Sequence, residues 1–211
     1  MKRIIMLLMA MALIMPSAIA QNNKALEKEL KKEYKNRIKA LNKEGWKLYG
    51  SSRSIEVALL THYDKLGKLG ERGREVMGEA SKFKSKNVGK QTAINNACNT
   101  YAREAGSHVR GRIVSDMASM AENVAGEFDH FYAAYETTVE KEIKGELQES
   151  YSVIKDNGDG TFAMQVYFIV DEDAATRARI RSMENAFKES EAAQKYASKV
   201  SEFVKEGFDK E

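Results

Sequence analysis

Proline is almost absent: the only one among 211 residues is Pro16. Past that point the chain meets no fixed-φ break, so long uninterrupted helices are open to it. Cysteine is as scarce. Cys98 stands alone, which excludes an intramolecular disulfide and leaves the fold to be stabilised by burial. An excess of either charge is also missing. Lys and Arg number 34 against 31 Asp and Glu. Without Lys2 and Arg3 the counts become 32 and 31, an excess of one. That balance gives no global attraction for nucleic acid or an anionic membrane. Nowhere does an apolar run reach the roughly 20 residues of a membrane span.

The longest apolar run is short and sits at the start. "MKRIIMLLMAMALIMPSAIA" opens with Lys2 and Arg3, continues through 12 apolar residues from Ile4 to Met15, breaks at Pro16 and ends in Ala18-Ile19-Ala20. A basic head, a short apolar centre and a small-x-small site form a secretory signal peptide. The expectation is export to the periplasm with cleavage after Ala20 and no membrane span after cleavage. The mature chain then starts at Gln21, not at the Cys that would carry a lipid.

Residues 21–45 read as an N-terminal helical extension. Leu26, Leu30, Tyr34, Ile38 and Leu41 make one narrow apolar stripe on a Lys/Glu-rich background, and Gly45 ends it. A stripe this thin suits a single partner helix. Residues 46–171 read as one α+β domain. Trp46 to Tyr49 is a short strand, and Ser51 and Ser52 are placed to cap a helix over 53–66. "GKLGERG" (67–73) reads as a loop, 74–83 as a weak strand and 87–106 as an Ala-rich helix closed by Gly106. "HVRGRIVS" (108–115) alternates and reads as a strand. A helix follows over 118–140, then two strands at 146–155 and 162–170. Residues 172–211 read as a C-terminal helix. The expected fold is a small, mostly antiparallel sheet packed by helices, with a β-α-β-α-β-β core and long terminal helices. The two terminal helices are expected to pair with each other or with a second copy, as a coiled-coil-like arm.

Candidate chemistry is thin. There is no G-x-S-x-G, no H-E-x-x-H and no phosphate loop; "GKQT" (89–92) lacks the upstream glycine, since position 84 is Lys84. Glu127 and His130 share a helix face, but a di-metal bundle needs that pair twice. Cys98 lies on an apolar helical stripe and reads as a buried, inert thiol. No catalytic residue, metal or cofactor is expected.

"DNGDGT" (156–161) has the oxygen-rich look of a calcium loop. Counted from Asp156, however, position 3 is Gly158, position 6 is Thr161 and position 12 is Tyr167. The required oxygen, Gly and Glu are all absent there. Alternating strands on both sides make it a hairpin turn. Two contact surfaces remain. His108, Arg110 and Arg112 would project from one strand face and could contact an anion or a glycan. Tyr132, off the row of Phe128, Phe131 and Tyr135, would be open to a partner.

Three stretches carry a resemblance: "REVMGEASKF" (74–83), "AINNACNTYAREAGSHVRGRIVSD" (93–116) and "YSVIKDNGDGTFAMQVYFIV" (151–170). Together they resemble the small bacterial envelope lipoproteins named after a twenty-kilodalton outer-membrane antigen, to which a flagellar P protein also belongs. The likeness spans about residues 46–175 and is one of pattern. It implies a glycine-bearing strand, an Ala-rich helix, a strand running into a polar helix, a final hairpin with a strongly apolar second strand, and a non-enzymatic envelope role. This chain departs from the pattern in having no lipid-bearing Cys. The expected function is a binding or structural role through contacts with an envelope protein or with a second copy. The alternative is a periplasmic binder of a small anion or glycan.

Overall fold

A computed structural model of the protein describes the backbone of residues 15–117 and 128–206, with side chains from Glu27 onward except at position 192. Helix α1 (Met15–Glu44) leads into the short strand β1 (Lys47–Tyr49) and helix α2 (Ile55–Leu69). A 3-10 turn (Gly70–Arg72) passes into strand β2 (Gly73–Phe83), followed by helices α3 (Lys86–Met117) and α4 (Asp129–Ile143). Strands β3 (Gln148–Asp156) and β4 (Phe162–Asp171) form a hairpin. Helix α5 (Glu172–Ala186), a 3-10 turn (Phe187–Glu189), and helices α6 (Glu191–Lys195) and α7 (Ala197–Glu206) complete the chain. The four strands form one antiparallel sheet in the order β1-β3-β4-β2, so the fold is α+β.

Local chemistry accounts for the boundaries. Gly45 takes φ +79, its N–H bonds the Asn42 carbonyl at 3.2 Å, and the Trp46 N–H bonds the Leu41 carbonyl at 3.0 Å. That is the Schellman end of α1, and its usual apolar contact is present in the buried pair Leu41 and Trp46. Ser54, rather than Ser51 or Ser52, caps α2; its Oγ accepts from the Val57 N–H at 3.3 Å. In "DNGDGT", Gly158 and Gly160 have φ near +80 (78 and 80). The Asp156 and Asp159 carboxylates accept from the Gly158 and Thr161 backbone N–H groups at 2.8 and 2.9 Å. The hexapeptide is the hairpin turn its residues called for.

The main correction concerns residues 108–115. They form no strand; α3 runs unbroken from Lys86 to Met117. Tyr101, Ala105, Val109 and Ile113 follow one another at helical spacing, and all four are buried. The alternation of Val109, Gly111 and Ile113 imitated a strand because i and i+4 also share a strand face. Gly106 does not end the helix. A Cβ there would collide with the Glu136 side chain of α4, so the glycine permits close helix approach. Gly78 does the same for α3 on the sheet, where a Cβ would fall inside the Ala93 carbonyl.

The expected single C-terminal helix is broken. Ser190 is extended (φ −148, ψ 114), and its Oγ accepts from the Ala193 N–H at 3.2 Å. The break folds the chain back onto the core: Phe187 stacks on Phe131 at 5.8 Å and Tyr196 lies 6.2 Å from Phe128. Nor, among the described residues, do the terminal helices pair with each other. Val200, Phe203 and Val204 of α7 join a large cluster with α3, α4, α5 and the even-numbered side chains of β2 and β4. Leu30, Tyr34, Ile38 and Leu41 of α1 join a smaller cluster on the opposite sheet face, with α2, Trp46, Tyr151, Val153 and Tyr167.

The sheet has one long edge, β2. It bulges between Ala80 and Phe83, where Lys82 takes φ 55. Asn96 of α3 donates to the Glu79 backbone carbonyl of this strand at 2.7 Å.

Candidate functional site

The expected basic face is not assembled. His108, Arg110 and Arg112 lie on α3, where their spacing sends Arg110 away from the other two. Arg112 is held by Glu206 of α7 (Nε to Oε2, 3.0 Å) and by Asp116 one turn on (3.1 Å). His108 hydrogen-bonds the Phe203 backbone, and burial lowers its basicity. Arg110 lies over the Tyr132 ring, 4.4 Å from its centroid. Tyr132 is only 1% exposed, so the expected partner-facing tyrosine is core. Burial pushes its phenol up to about 12. These four side chains fasten α3 to α4 and α7. Glu127 of the Glu127/His130 pair lies outside the described residues. Cys98 is buried, and burial raises its thiol pKa. Among the described residues no three His, Cys, Asp or Glu side chains gather as a metal would require.

Two other clusters do converge. In the large core, Arg179 of α5 is 1% exposed. It donates to the Tyr101 hydroxyl at 2.6 Å, to Glu172 Oε1 at 2.5 Å, to Thr176 Oγ1 at 2.8 Å and to the Val204 carbonyl at 3.2 Å. Nearly every guanidinium direction is thereby used, which is the condition for tolerating a buried charge. Burial, moderated by Arg179, pushes the Tyr101 phenol up to about 12.

The second cluster lies beneath α1. His62 of α2 is fully buried, with its Nε2 2.6 Å from Glu75 Oε2 on β2 and its Nδ1 3.0 Å from Ser150 Oγ on β3. A carboxylate cannot donate, so in the neutral ring the Nε2 proton faces Glu75 and Ser150 donates to Nδ1. Arg37 of α1 reaches the same Glu75 oxygen at 2.5 Å and the Tyr151 hydroxyl at 3.3 Å. Its guanidinium lies 5.2 Å from the Tyr167 ring centroid and 5.7 Å from that of Tyr63. Burial drives the Glu75 pKa upward, yet the bonds from His62 and Arg37 outweigh it and hold this carboxyl below its ordinary value.

Ser150, His62 and Glu75 have the pairwise reach of a nucleophile, its base and an orienting carboxylate. Their surroundings oppose that role. The imidazole is walled edge-on by Tyr63 (5.3 Å) and Tyr151 (5.2 Å), and the working carboxylate oxygen is already clamped by Arg37. The cluster is a seat for α1. Neither Arg37 nor His62 was singled out by sequence reading. A signal existed: both fall on otherwise apolar helical stripes, Arg37 between Tyr34 and Leu41, and His62 between Leu59 and Leu66.

Grooves flank the seated helix. One, of about 490 Å³, opens between α1 and α2 and is lined by Leu30, Tyr34, Leu60, Tyr63 and Gly67. The other, of about 400 Å³, lies between α1 and the sheet beside Trp46, Gln165 and Tyr167. Among the described residues no helix is long and apolar enough to cross a membrane. No family model, curated protein or solved structure matches the chain.

Proposed function

We propose that this is an exported, periplasmic, non-enzymatic cell-envelope protein with a binding or structural role, exercised through protein contacts made by α1 and the face it shares with α2. One observation carries the reading. The α1/α2 groove is apolar, open and edged by Leu60, which is 54% exposed, and large side chains left in the open beside an apolar groove mark interaction surfaces. The likeness of residues 46–175 to the envelope lipoproteins, and the signal-like start of the chain, support the cellular setting.

The test uses the chain from Gln21 as bait in envelope extract, beside a Leu60→Asp variant. The expected result is a specific complex with the first that the second loses. Capture unchanged by Leu60→Asp, or no specific capture, would refute the reading. Fractionation with N-terminal sequencing checks the address: the expected product is periplasmic and begins at Gln21.

A further inference from the structure

We infer that a second copy of this chain fills the α1/α2 groove, related to the first by a twofold axis with the helices antiparallel. The inference rests on the reading that this face is a protein-docking surface. Its first support is shape. Leu60 projects from α2 directly beside the hollow formed by Leu30, Tyr34, Tyr63 and Gly67. Gly67 faces Leu30 across the hollow; a Cβ there would sit in ordinary contact, 3.5 Å from Leu30 Cδ1. A knob next to a hole on one face is what a twofold pair needs, because each copy can place its knob in the other's hole. Val57, one turn earlier on α2 and 46% exposed, extends the apolar ridge.

The second support is charge. The groove is edged by Glu27 and Lys31 on α1 and by Asp64 and Lys68 on α2. On both helices an acid precedes a base by four residues. Reversing the helix direction sets the partner's Lys31 against Glu27 and the partner's Glu27 against Lys31, and the α2 pair repeats the match. Lys68 already reaches Asp64 at 2.7 Å within its own helix, with both side chains more than half exposed (74% and 58%). That leaves them free to exchange partners. A rim with two acids and two bases has no net charge, which disfavours an anionic lipid surface or a nucleic acid as occupant. The contact is confined to one groove and its ridge, so the dimer should be weak, with a dissociation constant of about 1–100 µM.

Sedimentation equilibrium of the mature chain at low salt tests this, with Trp46 emission and far-UV circular dichroism confirming that each variant is folded. A concentration-dependent dimer is expected. Leu60→Asp should weaken it by about tenfold or more, as for loss of a central apolar anchor. Lys31→Glu should weaken it by about three- to tenfold, and adding Glu27→Lys should restore it to within about twofold, because the rim match is re-formed with its signs exchanged. A monomer up to about 1 mM, near the weakest specific affinities, overturns the second-copy occupant. If that monomer still captures another protein in a Leu60-dependent way, the docking reading stands; if capture ignores Leu60, both fall. A dimer indifferent to Leu60→Asp and to the charge exchange also overturns the inference, since the copies then meet elsewhere.

Discussion

The two faces of the sheet are covered in contrasting ways. One carries α3, α4, α5 and α7 over a large cluster with fully buried Phe131, Tyr135, Ile113 and Met164. Burying a single such side chain contributes about 1.5–3 kcal/mol. Arg179, buried within it, is bonded on nearly every side. The other face carries, among the described residues, α1 and α2 over a smaller cluster, and polar groups run through its centre: Arg37, Glu75, His62 and Ser150. The first face secures the fold by area, whereas the second positions one helix by a few directed contacts. Disruption on the first should therefore cost global stability, and disruption on the second should free α1 while the domain stays folded.

Arg179→Ala should have the largest effect. It leaves Glu172 and Tyr101 without their shared donor, and breaking a buried pair costs about 3–5 kcal/mol. Guanidinium unfolding followed by far-UV circular dichroism would show it; a loss under about 1 kcal/mol would mean Arg179 is dispensable. Next comes Gly78→Ala, which must push α3 off β2 at Ala93 and should cost about 1–3 kcal/mol by the same measurement.

Glu75→Gln addresses the thinner face. It should cost about 1–3 kcal/mol, the range when donors that are fully buried (His62) and partly buried (Arg37) lose a charged partner. The signature matters more than the size: Trp46, the only tryptophan and part of the capped end of α1, should shift its emission while far-UV circular dichroism barely changes. Coincident changes would erase the contrast between the faces. Acid should act in the same way. A carboxyl with a lowered pKa stabilises the fold above its ordinary value of about 4.3, and that contribution fades as pH falls through the folded value. Trp46 emission should therefore respond below about pH 4, before the helical signal does. At the other extreme, burial pushes the Tyr167 phenol up to about 12. Its contribution should hold to about pH 10 and vanish by about pH 12. The smallest effect belongs to Gly160→Ala, about 1 kcal/mol for a side chain at φ 80, with the Trp46 spectrum unchanged.

What the sequence revealed followed from periodicity and turn chemistry. The β3–β4 hairpin was readable because "DNGDGT" supplies left-handed glycines between two alternating segments. The α1 stripe was readable because Leu30, Tyr34, Ile38 and Leu41 recur at helical steps. Residues 108–115 misled because Val109 and Ile113 satisfy both periods, and only the burial of α3 against α4 and α7 decides between them. The C-terminal break was available in the six-residue step from Phe187 to Ala193, which no single stripe accommodates. The seat of α1 was hidden for a different reason. Glu75 and Tyr151 lie 38 and 114 residues from Arg37 along the chain, and nothing local encodes their meeting.

The long edge strand β2 carries one more consequence. An exposed edge of 11 residues is a template on which another chain could continue the sheet without limit. Here the Glu79 carbonyl is occupied by Asn96, and the left-handed Lys82 turns the strand out of register and places a charge at the rim. The sheet therefore stops at four strands. Replacing Lys82 with an apolar β-former would remove the charge at the rim while the Asn96 bond remains, and the less guarded edge is expected to recruit further strands, visible as fibrils that bind thioflavin.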